Sequence, residues 1–299
     1  ISWGYAGVIN FGVMGFLAMG GLAAVLVSYP PIKEAWHVGG SGLGISFVLL
    51  IGLVIAVYFI NKLIEKKSHK YWLNGLVIFF GVIIIRYFFL NATSKIEEVD
   101  PALAGFLGGA NLPIIFSWVV GGFFAGGVAF LIGKVALGLR SDYLAIVTLG
   151  ISEIVVSVLK HEEWLSRGVK NVIGLKRPVP YEINLQASDW FINMVTWFNS
   201  SKLNQIIDPD QKKEMLNNLI IDSSSLFVKL NYAVLFFIVM IVIYYFANKA
   251  QISPWGRMMR AIRDNEVSAN AMGKDIVKQH LIIFVIGAAI VGVAGAMLV

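Results

Sequence analysis

Side chains capable of chemistry are sparse in this 299-residue chain, which carries 24 Lys and Arg, 18 Asp and Glu, and four His. His37, His69, His161 and His280 lie far apart, and no two share the i, i+4 spacing of a helical metal site. There is no Cys, so thiol catalysis, disulfides and Cys-type zinc sites are excluded. The run Val128–Val135 ends in Gly133-Lys134-Val135 and lacks both the first glycine and the hydroxyl of a phosphate-binding loop. Asp208-Pro209-Asp210 reads as a turn and helix cap rather than a metal ligand pair. No nucleophile elbow or Ser-x-x-Lys pattern is present. The expectation is a chain that is not an enzyme and holds no cofactor and no metal.

Two features survive that screen. Glu153 is the one acid well inside an apolar run, and at helical spacing it shares a stripe with Gly150 and Ser157. Ionisable residues at membrane depth are functional by default, so this face is expected to point into a helix bundle, either lining a path or packing. Asn10 and Gly12, on the first apolar stretch, are path candidates of the same kind.

The second feature is Ser253–Gly273 (SPWGRMMRAIRDNEVSANAMG). Ser253 and Pro254 start a helix, and Trp255, Met258, Met259 and Ile262 share one face, with Arg257, Arg260 and Arg263 close by. A second short helix carries Glu266, Ala269 and Ala271 and stops at Gly273. Such a pair either receives motion from a soluble motor or rests on anionic lipid.

These residues sit in a chain that is 58% hydrophobic and 14% charged, with a mean hydropathy of +0.76. Soluble domains run at about 25% charged, so this is a polytopic membrane protein. Seven continuous apolar stretches meet or approach the length of about 20 residues that a spanning helix needs: Gly4–Ser28, Leu43–Ile60, Leu73–Leu90, Pro113–Leu139, Tyr143–Leu159, Phe227–Ala247 and Leu281–Val299. Seven is a minimum, because residue 1 is not Met and the chain stops inside an apolar run; a further span beyond Val299 is expected.

Charge orients the spans. Lys62, Lys66, Lys67 and Lys70 against Glu65, then Lys134 and Arg140, then Lys249, Arg257, Arg260, Arg263, Lys274 and Lys278 mark the cytoplasmic side. The net charge of +6 is therefore a topology signal and no argument for nucleic acid. The outer segment 160–226 is a binding face or a lid, within which Pro209–Ile221 reads as a short amphipathic helix capped by Asp208. Arg86, four residues from the end of its stretch, is expected to snorkel. Gly122-x-x-x-Gly126 signals close helix packing.

Glu266-x-x-Ala269-x-Ala271-x-Gly273, after Arg257-x-x-Arg260-Ala261-Ile262-Arg263, resembles the coupling loop of bacterial ABC-importer permeases, most narrowly the branched-chain amino-acid permeases of the LivH/LivM type, closest to LivM. Leu139–Ile154 and Gly4–Val27 are similar to two further blocks of that family in the same order. One glycine of the family's turn is lost within 166–174, and the outer segment after it is longer than usual.

The resemblance implies an all-α transmembrane permease domain over 1–299, with a cytoplasmic coupling loop at 249–280. It implies two ABC ATPase subunits, a second permease subunit, identical or homologous, and a periplasmic solute-binding protein, in the bacterial inner membrane. Arg257, Arg260, Arg263, Glu266, Ala269, Ala271 and Gly273 then carry ATPase coupling. Asn10, Gly12, Tyr143, Thr148, Gly150, Glu153 and Ser157 line the path, and branched-chain or related neutral amino acids are the cargo. The rival is an ATP-independent secondary transporter or channel for a small polar solute such as urea or an amide, marked by inverted repeats, broken helices and paired intramembrane charges.

Overall fold

The computed structural model describes residues 2–63, 67–101, 105–137, 141–205 and 207–299. Glu65, Lys66, Leu139 and Arg140, which entered the topology and span reading, lie outside the described residues. Every regular element among the described residues is a helix. The first seven are α1 (Ser2–Ala6), α2 (Val13–Ser28), α3 (Lys33–Leu63), α4 (Lys67–Glu97), α5 (Ile114–Ala136), α6 (Ser141–His161) and α7 (Glu163–Ser166). They are followed by α8 (Glu182–Gln186), α9 (Asp189–Phe198), α10 (Ser200–Leu203), α11 (Pro209–Ile252), α12 (Pro254–Asp264), α13 (Glu266–Ala271) and α14 (Ile276–Leu298). Among the described residues, α3, α4, α5, α6, α11 and α14 are long and apolar enough to cross a membrane, and α2 is a shorter apolar helix of 16 residues. The fold is all-helical and polytopic.

Two compact units divide the chain. One comprises Ile9–Leu175 with Phe284–Val299, the other Ile1–Val8 with Lys176–Ile283.

In the first unit, glycine lets α2, α5 and α14 meet backbone to backbone. A Cβ on Gly20 would overlap the Gly292 carbonyl, and one on Gly295 would overlap the Leu17 carbonyl. At Gly121 it would lie 3.0 Å from the Gly292 oxygen. Small residues permit this approach where lipid offers no hydrophobic drive for association. The Gly122/Gly126 pair faces the same helix, near Val293 and Ala289. Gly20 meets Gly292 and Phe16 stacks edge-on against Phe284, so α2 and α14 run parallel. Gly121 to Ala296 and Gly126 to Val285 make α5 antiparallel to α14. The α3–α4 hairpin packs through Gly39 and Gly42 against Ala92 and through Gly81 against Leu53. Its turn end is tied by Asn74 Nδ2 donating to Asn61 Oδ1 at 3.0 Å. Helix α4 runs to Glu97, so Arg86 stands eleven residues from its end rather than four.

In the second unit, α8 and α9 lean on α11. Phe191, Val195, Leu185 and Val179 form a core with Ile220 and Val228, and Gln186 Nε2 donates to Ser224 Oγ at 2.9 Å. Asp208 caps α11 as its sequence requires, accepting from the Asp210 amide at 3.1 Å with Pro209 in the first turn. The short helix expected at Pro209–Ile221 does not stop there. α11 continues unbroken for 44 residues, about 66 Å at 1.5 Å per residue. No Gly or Pro interrupts residues 210–252, so nothing local ends the helix where polar sequence gives way to apolar.

Candidate functional site: a path helix and a cytoplasmic coupling pair

The first apolar stretch is not one helix. Gly7 takes a left-handed φ of +69° and α1 ends; α2 begins only at Val13. A helix N-terminus exposes amide donors that need partners, more so where water is scarce. Here α6 supplies them. Phe11 N donates to Thr148 Oγ1 at 3.2 Å, and Gly15 N donates to Ser152 Oγ at 2.7 Å. Asn10 Oδ1 accepts from Gly12 N at 2.8 Å and closes the turn locally. A Cβ on Gly12 would stand 2.9 Å from the Thr148 carbonyl oxygen, so only glycine fits against α6 at this point.

Asn10, Gly12 and Thr148 are therefore brought together. The other path candidates are not. Tyr143, Gly150, Glu153 and Ser157 are exposed on α6, whereas Leu144, Ala145, Thr148 and Ser152 are buried. The Gly150–Glu153–Ser157 stripe, expected to point into a helix bundle, is exposed in the single chain, and the face turned to α2 carries Thr148 and Ser152. Its hydroxyls satisfy backbone donors, which the Glu153 carboxylate, an acceptor far costlier to bury, does not do here. Ser152 was missed from sequence. Its signal was the i, i+4 hydroxyl pair with Thr148 in an apolar helix.

The second constellation follows α11. Ser253 ends that helix and starts α12, its Oγ accepting from Gly256 N at 3.3 Å, with Pro254 at the first position. Met259 and Ile262 are fully buried, Trp255 and Met258 half-buried, and Arg257, Arg260 and Arg263 exposed. The arginines are already engaged at the base of the unit. Arg257 Nη1 donates to the Ile252 carbonyl at 3.0 Å, and Arg260 Nη2 reaches the Gln251 carbonyl at 3.5 Å. Both carbonyls belong to the last turn of α11, where unpaired acceptors and the negative dipole end favour a cation. Arg263 Nη1 donates to the Gly4 carbonyl of α1 at 2.6 Å, and its Nη2 pairs with Asp264 at 2.8 Å. Trp255 Nε1 donates to Gln279 Oε1 at 3.0 Å on the first turn of α14.

α13 is capped by Asn265, whose Oδ1 accepts from Ser268 N at 2.9 Å. It exposes Glu266 and Ala271 and buries Ala269. Gly273 stands at φ +74° as the stop, but a Cβ there would meet nothing within 4 Å. Its requirement for glycine is a backbone one, without a steric neighbour. No cluster of His, Cys, Asp and Glu able to hold a metal occurs among the described residues.

A family model described as the permease component of the branched-chain amino acid transport system matches residues 35–299. The high-affinity branched-chain amino acid transport system permease protein LivM of Escherichia coli (strain K12) is 27% identical over 178 residues, covering 60% of this chain and 38% of the relative. The LivM protein of Salmonella typhimurium (strain LT2) is 27% identical over 176 residues, covering 59% and 37%. The matched stretch thus spans under two fifths of those relatives' length. No solved structure matches the chain.

Proposed function

The chain belongs to the branched-chain amino acid transport permease family, and from that membership we propose that it is one of two permease subunits in an ATP-binding-cassette importer. It is a multi-pass membrane protein. Two ATPase subunits drive it from the cytoplasm, a periplasmic binding protein feeds it, and the cargo is a branched-chain or related neutral amino acid.

The observation that carries this reading is the α12–α13 pair. α12 is seated by Met259 and Ile262 and hydrogen-bonded to three other elements: the end of α11 through Arg257 and Arg260, α1 through Arg263, and the start of α14 through Trp255. A push on α12 is therefore passed to three helices together, which is what a device moving a whole transmembrane unit requires. Glu266 and Ala271 on the exposed side of α13 offer the contact for the ATPase, and Ala269 and Gly273 hold the turn that presents them.

On this reading the exposed face of α6 with Tyr143, Gly150, Glu153 and Ser157 is turned to the second permease subunit. Asn10, Gly12 and Thr148 form the constriction between α2 and α6. The break at Gly7–Gly12 also favours a second reading, since discontinuous helices are a mark of secondary transporters. Co-reconstitution with the partner ATPases and the cognate binding protein decides between the two. Uptake that needs ATP supports the importer, and uptake by the chain alone on an ion gradient supports the secondary transporter.

A further inference from the structure

Two charges within the spans of the first unit, Arg86 on α4 and Glu153 on α6, are both exposed. Neither makes a hydrogen bond or an ion pair among the described residues. Their surroundings are apolar and exposed as well, with Ile83 and Leu90 flanking Arg86 on α4, and Leu149 and Ile154 flanking Glu153 on α6.

Their depths match. α4 ends at Glu97 and α6 at His161, and α7 ties the two ends at one level. Trp164 N donates to Glu97 Oε1 at 3.3 Å, and the Trp164 ring stands edge-on to Phe89 with centroids 5.5 Å apart. Arg86 lies eleven residues before the end of α4, about 16 Å along the helix, and Glu153 eight residues before the end of α6, about 12 Å. The two charges therefore stand within about one helical turn of the same depth.

That depth limits what can cover them. Lipid tails carry no charge to offer, and a soluble protein does not reach inside a span. Ionised side chains facing hydrocarbon are costly, and where they occur they pair with one another. A surface carrying one charge of each sign at one depth complements itself, as an isologous interface requires.

We propose that Arg86 of one copy pairs with Glu153 of a second copy of this chain, and reciprocally, so that two ion pairs inside the membrane join like chains. That the second copy serves as a permease subunit rests on the reading above, in which the exposed face of α6 is turned to that subunit; the ion pair itself needs only the copy.

Because the chain has no native cysteine, Asn204→Cys, exposed on the outer segment, takes a donor or an acceptor dye in the full chain. Energy transfer in liposomes is then followed as the protein is diluted with lipid. The labelled chain is expected to self-associate, and Arg86→Glu alone or Glu153→Arg alone to need about tenfold higher density. Mixing the Arg86→Glu chain with the Glu153→Arg chain should restore association, because every contact between the two again joins opposite charges. Where a reversal lowers the yield of folded chain, Arg86→Gln and Glu153→Gln replace it, and the chain carrying both should associate no more weakly than either alone. No self-association, unshifted midpoints, additive losses in the glutamine variants, or failure of the mixture to recover overturns the pairing. Recovery only when both reversals sit in one chain places the pair within a copy and overturns it too. Recovery on mixing in a chain that takes up no amino acid with its ATPases refutes the permease reading alone.

Discussion

Replacing Ser152 by alanine separates two accounts of α6, one with Glu153 and Ser157 facing inward and one with Thr148 and Ser152. Ser152 is 6% exposed, and its Oγ accepts from Gly15 N at 2.7 Å. Gly15 is the third residue of α2, whose amide has no acceptor within its own helix, and Gly12 before it has no side chain to cap with. Ser152→Ala therefore strands a buried donor. The loss is the desolvation of that amide, about 1–3 kcal/mol, moderated by the modest worth of interhelical hydrogen bonds in membranes, about 0.6–2 kcal/mol. A net destabilisation of about 1–2 kcal/mol is expected. Ser157→Ala, on the exposed face of the same helix, should change stability by less than about 0.5 kcal/mol. Reversible unfolding of the two variants in mixed micelles, followed by tryptophan fluorescence, measures the difference. Equal stabilities for the two, or a larger loss at Ser157, would refute the assignment of the inward face.

Three further outcomes follow from the packing and the caps. Gly20→Leu cannot be accommodated against the Gly292 backbone, and should lower the unfolding free energy by about 3 kcal/mol or abolish folded protein on size exclusion, as overpacking does. Ser253→Ala removes the cap of α12, costing about 1 kcal/mol locally, and is read as faster hydrogen exchange confined to α12. Gly273→Ala places a side chain at φ +74° in open space; it should cost about 1–2 kcal/mol of backbone strain while a bulkier Gly273→Leu costs no more, and a much larger loss for leucine would reveal a neighbour.

What was legible in the sequence was the chemistry that is local. Ser253-Pro254, Asp208-Pro209 and Gly273 act on backbone groups within a few residues, and each stands where its residue type demands. The apolar runs were legible for the same reason, since length and composition decide whether a helix can span. The break at Gly7–Gly12 was not. Glycines and an asparagine recur elsewhere in apolar helices without breaking them, as Gly20 and Gly21 show, and the break persists because hydroxyls on α6, more than 130 residues away, satisfy the freed amides. The inward face of α6 was hidden by a similar ambiguity. Two small or polar stripes, Gly150–Glu153–Ser157 and Thr148–Ser152, lie on one helix, and only the position of α2 chooses between them. The continuity of α11 was obscured by its composition, which changes from polar to apolar without any change of backbone conformation. The arginines of α12 were legible as a basic cluster, but their bonds to the ends of α11 and α1 depend on where those ends lie.

Initial rates of L-leucine uptake into proteoliposomes holding this chain with the second permease subunit, ATPases and binding protein proposed for it test the central claim most directly. The account predicts uptake only with hydrolysable ATP at the ATPase side, and a loss of most of that uptake in Glu266→Ala without loss of folded protein. Uptake at an undiminished rate without ATP, or an unimpaired Glu266→Ala transporter, would contradict it.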